Sequence, residues 1–454
     1  MSATLVKTET ETYPSVEPIV AARAVALPDL RRDSLRLFVG NAVYAASQWG
    51  LLAILARLGT TDMVGRWMLA LAVTAPVMAF CMLHLRRVQA TDAMNEFCLV
   101  DFLLMRLSGI FVAAIVIAII GGTADYDREM IFVLLATTAV AIVDASADVI
   151  YGCLQRHERL DRIAYSMIVK SLLSLTLFAL ATYATGWFVY GILAIAVARF
   201  AIFFGYDLRG AAEIVNRDIV ANKGRDFRLT WDGTRLVALL KLSLPLGLVM
   251  TLIVLSGSIP RYYLDRFVDE SAVGIFGAIG YLTVVGTMFI GAIGESSNVR
   301  LAQDYAQGRK AEFLALTLRT ASIAGGLGVL GILCATTIGG WTLNLLYGPD
   351  YAAHAELLTW IMLAGGVGYV ASILGYAISA ARYFRSQLPL FIIVAITTAV
   401  TCALWIPRFG LHGAAYALVA TSATQLIGTL LIFVHALRHI PDAAADVSSS
   451  LVLN

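Results

Sequence analysis

The sequence predicts an all-α polytopic membrane protein, with about twelve transmembrane helices in two six-helix lobes. Three observations predict it. Of 454 residues, 59% are hydrophobic and 14% charged, with a mean hydropathy of +0.80, which leaves too little polar surface to cover a soluble globule. Twelve apolar stretches have the roughly 20 residues that cross a bilayer core at about 1.5 Å per helical residue. The third observation is an internal repeat. Leu55-Ala56-Arg57-Leu58, then Val64-Gly65-Arg66-Trp67, returns 209 positions later as Leu264-Asp265-Arg266-Phe267, then Val273-Gly274-Ile275-Phe276, in both copies bridging two apolar stretches.

The stretches run, to within a few residues, at 37–58, 66–84, 102–121, 131–152, 163–183, 187–206, 237–259, 272–294, 314–338, 356–379, 388–406 and 411–437. Six precede the longest loop, 207–236, and six follow it. The chain therefore divides into a tail (1–35), a first lobe (36–206), a joint with six basic residues (207–236), a second lobe (237–438) and a second tail (439–454). Each half starts on the same side, so a pseudo-twofold axis along the membrane normal is expected, with a cavity at the seam. Twenty-two Lys and Arg fall on the side of the amino terminus, against Arg57, Arg66, Arg128, Arg261, Arg266 and Arg408 on the other. That imbalance puts both termini in the cytoplasm. The net charge of +2 then reflects sidedness and not a nucleic-acid footprint. Residues 1–35 lack an apolar core, so no cleavable signal is expected, and the tail is expected to be disordered up to about Leu27. Cys81, Cys98, Cys153, Cys334 and Cys402 have no metal or disulfide spacing and read as small packing residues.

No Gly-x-x-x-x-Gly-Lys loop or His-Glu-x-x-His pair occurs, and the six histidines are dispersed. An ATP-hydrolysing site, a metal and an enzyme activity are not expected. A duplicated bundle with a seam suggests transport instead, drawing on the substrate's own gradient or on H+ or Na+.

Five basic residues lie inside spans, four to seven residues from the basic end: Arg106, Lys170, Arg199, Lys241 and Arg319. That is a depth of roughly 6–11 Å. Such side chains either snorkel to headgroups or form a cationic ring around a cavity, suited to a phosphate or pyrophosphate. The two readings stand level for Lys241 and Arg319. The cavity is favoured for Arg106, Lys170 and Arg199, because ionisable groups at that depth usually face protein or water. Asp144 and Asp148 are four apart on one helix face. A hairpin around 156–162 brings Lys170 near their level, so an Asp148–Lys170 ion pair is expected, while the deeper Asp144 reads as a coupling site for a proton or sodium. Ser258-Ile259-Pro260-Arg261-Tyr262-Tyr263 ends the seventh span, either as an aromatic belt with a turn or as a gate. Ile406-Pro407-Arg408-Phe409-Gly410 reads as a tight turn.

From about Asn41 to Arg438 the chain resembles the polysaccharide-exporting flippases of the multidrug/oligosaccharidyl-lipid/polysaccharide superfamily, the relatives of O-antigen and capsule-unit translocases. The resemblance is carried by Leu85-Arg86-Arg87-Val88-Gln89-Ala90-Thr91-Asp92, Leu104-Met105-Arg106-Leu107, and Ala147-Asp148-Val149-Ile150-Tyr151-Gly152 with Gln155. In the second half it is carried by Leu244-Pro245-Leu246-Gly247, Ile259-Pro260-Arg261-Tyr262, Val273-Gly274-Ile275-Phe276, Tyr347-Gly348-Pro349-Asp350-Tyr351, Ala380-Ala381-Arg382-Tyr383, and Ile406 to Leu411 leading into Gly413-Ala414-Ala415. It implies two six-helix lobes around a central cavity that move a polyprenyl-pyrophosphate-linked oligosaccharide from the inner to the outer leaflet. On this sequence the cavity would use Arg106 and Lys170, with Arg261 near the exit and the repeat-related Arg57 and Arg266 flanking it. Lys170 stands where relatives often have arginine, giving up bidentate phosphate binding, and Ser258 stands where they tend to have asparagine. The extra pair of helices of the peptidoglycan-precursor branch is missing. Implied partners are the lipid-linked sugar, membrane lipids, and the polymerase and chain-length proteins of such a pathway for lipopolysaccharide or exopolysaccharide. Two alternatives remain. A cation-coupled drug antiporter of the same superfamily would use acidic cavity residues, which Asp144 keeps open. A membrane-embedded sugar polymerase would need a large loop bearing reactive groups.

Overall fold

The computed structural model describes residues 17–91, 97–220 and 233–440. Eleven helices among them are long and apolar enough to cross a membrane. The last, Phe384–Arg438, is broken where Gly410 leaves helical geometry at φ 55° and ψ −127°, a left-handed conformation that favours glycine. Twelve spanning helices result. In chain order they are α1 (Glu17–Leu58), α2 (Thr61–Met82), α3 (Leu99–Thr123), α4 (Arg128–Arg156), α5 (Leu160–Thr185), α6 (Phe188–Ile202), α7 (Gly233–Phe267), α8 (Glu270–Tyr281, continued as Thr283–Ala306), α9 (Lys310–Leu346), α10 (Ala355–Ala380), α11 (387–409) and α12 (411–438).

Four expectations are corrected. The backbone is helical from Glu17, ahead of the expected bilayer entry; residues 1–16 lie outside the described ones. The joint is not all loop: α6 runs through a π turn, Phe203–Asp207, into a helix at Leu208–Val220, and only 221–232 lie outside the described residues. The helix α7 does not end at Pro260 but carries it internally and continues to Phe267. The expected 406–410 turn reduces to Gly410, because Pro407 is accommodated inside the helix. Of the second tail, 441–454 lie outside the described residues. Cys81, Cys98, Cys153 and Cys402 are buried as expected, whereas Cys334 is exposed.

Side-chain caps begin helices where the sequence repeats. The Oγ1 of Thr60 accepts from the Met63 amide at 3.4 Å, and the Asp269 carboxylate, 209 positions on, accepts from the Ala272 amide at 2.6 Å, each satisfying an amide that the first turn leaves free. Later joints keep a different offset. Glu158 and Arg382, and likewise Gly186 and Gly410, are left-handed residues 224 positions apart. The offset grows across the second helix of each half, which has 22 residues in α2 and 37 in α8, so that His84 and Gly308 are already left-handed residues 224 apart. The two lobes are thus copies of one bundle.

Burial follows position in the bundle. In α2 61% of the most apolar window is buried, against 17% in α3 and α9, whose Phe111, Ile119, Leu330 and Leu333 point outward as a lipid-facing surface would. α2 packs on α7 and on the first half of α8, joining the lobes.

Candidate functional site

Where α2 meets α8, the repeat folds onto itself. A β-carbon on Gly65 would lie 1.8 Å from the Glu270 carbonyl oxygen, and one on Gly274 would lie 2.3 Å from that of Thr61. Only glycine at both positions lets the two first turns cross backbone to backbone. Around this crossing Ser271 Oγ donates to Thr61 Oγ1 at 2.7 Å, and Arg66 reaches Glu270 at 2.7 Å, Asp127 at 3.3 Å and Glu129. Arg57 donates to the Asn344 and Leu345 carbonyls at 2.6 and 2.5 Å, at the C-terminal end of α9, where the helix dipole favours a cation. Trp49 Nε1 donates to Tyr347 at 2.9 Å, and the Tyr262 hydroxyl donates to the Ala72 carbonyl. The crossing joins the lobes at this end, beside a cleft of about 1300 Å³ whose lining includes Asp125, Asp127, Tyr262, Asp265, Arg266 and Glu270. Of the three exit residues named from sequence, Arg57 and Arg266 lie there, Arg57 as a strap between lobes and Arg266 exposed over the Phe267 ring. Arg261 is partly exposed farther along α7, and its Nε has no hydrogen-bond partner among the described residues.

Toward the opposite, basic end, the first lobe gathers charge in its interior. Arg106 is 1% exposed. Its Nη2 donates to Asp148 Oδ2 at 2.8 Å and its Nη1 to the Met82 carbonyl at 3.3 Å, tying α3 to α4 and to the end of α2. Arg86 lies 3.6 Å from the other oxygen of Asp148, donates to Gln155 Oε1 at 3.2 Å and stands 5.6 Å over the Tyr151 ring. The second group is deeper. Lys170 Nζ donates to Asp144 Oδ1 at 3.3 Å, while Arg199 pairs with Asp144 Oδ2. Lys170 is boxed by the rings of Tyr44 and Tyr151 at 5.5 and 5.2 Å, and Arg199 stands 5.8 Å from Tyr44, an arrangement in which ring faces offset part of the cost of burying a cation.

The expected Asp148–Lys170 pair is therefore replaced. Lys170 belongs to Asp144, and Asp148 to Arg106 and Arg86. Asp144, read as a coupling carboxylate, is clamped between two cations. Lys241 and Arg319 are exposed and belong to neither buried charge group. Tyr44, Arg86, Tyr151 and the cross-lobe group around Arg66 were not among the residues singled out for a role in substrate handling. The repeat carried the signal for Arg66, since its copies had to meet somewhere.

Two cavities flank the deeper group. One of about 320 Å³ reaches Asp144 and Arg199 and is closed by Tyr44, Gln48 and Trp67 from the first lobe and by Tyr281 from the second. The other, about 360 Å³, is a cleft between α1 and α8 lined by Phe38, Ala42, Trp49, Val284, Met288 and Phe289 among others, almost wholly apolar. Asp144 and Asp148, with side chains 26% and 25% exposed, are each outnumbered two to one by cations, so each group carries net positive charge.

No protein-family profile matches the chain. The capsular polysaccharide biosynthesis protein CapF of Staphylococcus aureus is 27% identical over 399 residues, 86% of this chain and 96% of the relative. The MATE transporter VcmN of Vibrio cholerae has a similar structure, with a TM-score of 0.61 at 15% identity, covering 91% of this chain and 98% of that one. So has a transporter of the same superfamily from Pyrococcus furiosus, described as having a binding pocket of reversed polarity, with a TM-score of 0.54 at 15% identity over 90% and 95% of the two chains. The chain thus has the fold of the transporters of the multidrug/oligosaccharidyl-lipid/polysaccharide superfamily, as its sequence implied.

Proposed function

We propose that the protein is a flippase that moves a polyprenyl-pyrophosphate-linked oligosaccharide from the inner to the outer leaflet of a bacterial inner membrane for polysaccharide export. The observation that carries this reading is the charge ratio inside the first lobe. A site for cationic drugs would present carboxylates in excess, as the cleft beside the crossing does with Asp125, Asp127, Asp265 and Glu270 against Arg266, whereas deep in the first lobe Asp144 and Asp148 are each outnumbered by two cations. An arriving pyrophosphate can take over Arg199 and Lys170 as donors while Asp144 keeps them oriented. The similarity to a capsule biosynthesis protein along most of the chain supports the same class of substrate.

The physical task fits this division of surfaces. A pyrophosphate and hydrated sugars meet a prohibitive cost in hydrocarbon, while the prenyl tail is at home there. The protein need shelter only the head. The apolar cleft between α1 and α8 suits a trailing tail, each buried methylene contributing about 0.8 kcal/mol. With the basic end taken as cytoplasmic, the packed turns of α2 and α8 join the lobes at the outer end beside a cleft of about 1300 Å³, and rocking of the lobes about that seam would exchange the open side. No step calls for covalent chemistry, so an enzyme is not invoked.

Flipping of a lipid-linked sugar unit in reconstituted vesicles tests the reading. We expect Arg199→Gln to lower the rate at least tenfold per folded molecule, about 1.4 kcal/mol of lost stabilisation, with membrane insertion retained. Wild-type rates in that variant, or efflux of a cationic dye by the native protein, would overturn it in favour of the antiporter.

A further inference from the structure

We propose that Asp207 is a proton-binding site, a protonatable carboxyl linked to the Lys170 cluster through Tyr151. The proposal does not depend on what the cavity carries. Asp207 closes the π turn Phe203–Asp207, and such single-turn insertions recur at functional positions because they re-aim one side chain without ending the helix. Here the turn buries a carboxyl group: Asp207 is 1% exposed. Its Oδ2 accepts from the Tyr151 hydroxyl at a long 3.4 Å, and that hydroxyl is shared at 2.8 Å with Ser166 Oγ, itself 0% exposed. Its Oδ1 has no partner among the described residues.

Among the described residues Asp207 forms no ion pair, and the cations nearest to it are engaged elsewhere. From α4 come Tyr151 and, beyond it, Asp144; from α5 come Ser166, Lys170 and Arg162; from its own stretch come Tyr206 and Glu213. Lys170 is engaged by Asp144 at 3.3 Å, and Arg162 by Glu213 at 2.5 Å. A buried carboxylate with an orphan oxygen and no committed cation is the arrangement that favours the neutral acid. A sodium ion would need several more oxygen ligands than the Asp207, Tyr151 and Ser166 set supplies. A proton needs only one.

Occupancy of this site is felt by the charged cluster. The Tyr151 ring is the floor on which Lys170 rests, at 5.2 Å, and the Tyr151 hydroxyl is the contact with Asp207. While Asp207 holds its proton, Lys170 sees one carboxylate, Asp144. Once the proton leaves for solvent, Asp207 becomes a second carboxylate competing for Lys170, and the clamp on Asp144 loosens. A proton bound on one side of the membrane and released on the other would thereby reset the cations that meet an anionic substrate.

Infrared difference spectra of the full chain in lipid nanodiscs, titrated with pH without any substrate, test the site. We expect the native protein to show the carbonyl stretch of a protonated carboxyl at neutral pH, shifted in deuterated water, lost on alkalinisation, absent in Asp207→Asn and retained in Asp144→Asn. Should Asp207→Asn fail to fold, Asp207→Glu keeps the test, because it should move the band without removing it. Absence of the band in the native protein, or its survival in Asp207→Asn, would overturn the proposal. Bleaching by sodium at constant pH would overturn it in favour of a metal cation. Since no sugar lipid is present, failure here is distinct from failure of the flippase reading.

Discussion

The two lobes are copies in backbone and opposites in chemistry. Within the first, Arg106, Lys170, Arg199 and Asp207 are each 5% exposed or less, and all but Asp207 are paired with carboxylates. The corresponding interior of the second lobe is built from hydroxyls: Thr317, Thr320, Thr398, Thr421 and Thr429 are buried and bond back to their own helices, and Thr398 meets Thr421 at 3.0 Å. Its buried Asp304 sits at the end of α8, paired with Arg309 at 2.6 Å. Duplication supplied a symmetric shell, and among the described residues one half alone buries clusters of several cations around a shared carboxylate. Back-bonded threonines stiffen helix contacts at little desolvation cost, whereas charges must be held by partners.

The largest expected effect follows from that difference. Asp144→Ala leaves Lys170 and Arg199 buried without a carboxylate, and should lower stability by about 3 kcal/mol, the low end for removing one partner of a buried pair. Thr398→Val in the second lobe removes a hydroxyl whose neighbour Thr421 keeps its own bond to the Ala417 carbonyl at 2.7 Å, and should cost about 1 kcal/mol or less. Denaturant or thermal unfolding of the two variants side by side checks the contrast. Equal losses would mean that the lobes do not divide the work as their interiors suggest.

The same contrast explains how far the sequence could be read. Each spanning helix must supply about 20 apolar residues and close its own backbone hydrogen bonds, so all twelve spans were legible, including the pair that Gly410 divides. Charged pairs were not, because they depend on helix rotation. Counting from the turn at Glu158, Lys170 lies twelve residues away, between Asp148 at ten and Asp144 at fourteen. Four residues on a helix turn a side chain by about 40° relative to its predecessor, which is enough for Asp144 to meet α5 and α6 while Asp148 meets Arg106 on α3. Nothing in local spacing reports that rotation. Asp207 was missed for another reason: in Phe203-Phe204-Gly205-Tyr206-Asp207-Leu208-Arg209 the first charge after an apolar run looks like the end of a span, and a π turn leaves no mark in composition.

A second comparison lies between the crossing of the repeats and the glycines elsewhere. Gly65→Ala and Gly274→Ala each push a methyl into the partner's backbone, and should cost about 1–3 kcal/mol as overpacking, with less than additive loss when combined because they relieve the same crossing. Gly122 in α3 has open space where its β-carbon would stand, so Gly122→Ala should be neutral or stabilising by up to about 1 kcal/mol. If the seam is the hinge of lobe rocking, the crossing variants should also raise the reactivity of a cysteine placed at Thr61 toward a membrane-impermeant thiol probe. Gly122→Ala should not.

The smallest effect tests whether charge or packing holds that seam. Arg66 bridges the lobes through Glu270, but its side chain keeps 20% of its surface exposed and Glu270 keeps 32%. Water and salt therefore screen the pair, and an exposed ion pair contributes about 1 kcal/mol or less. Arg66 is shared with Asp127 and Glu129, within its own lobe. Glu270→Gln should therefore weaken the cross-lobe link only slightly, and Arg66→Ala somewhat more, because it also leaves three carboxylates facing one another. A double-mutant cycle on Arg66 and Glu270, read as thiol reactivity of the same cysteine at position 61 in low and high salt, should give a coupling that fades as salt rises. A coupling as large as the Gly65 effect and indifferent to salt would make this ion pair, and not the crossing of the two backbones, the latch between lobes.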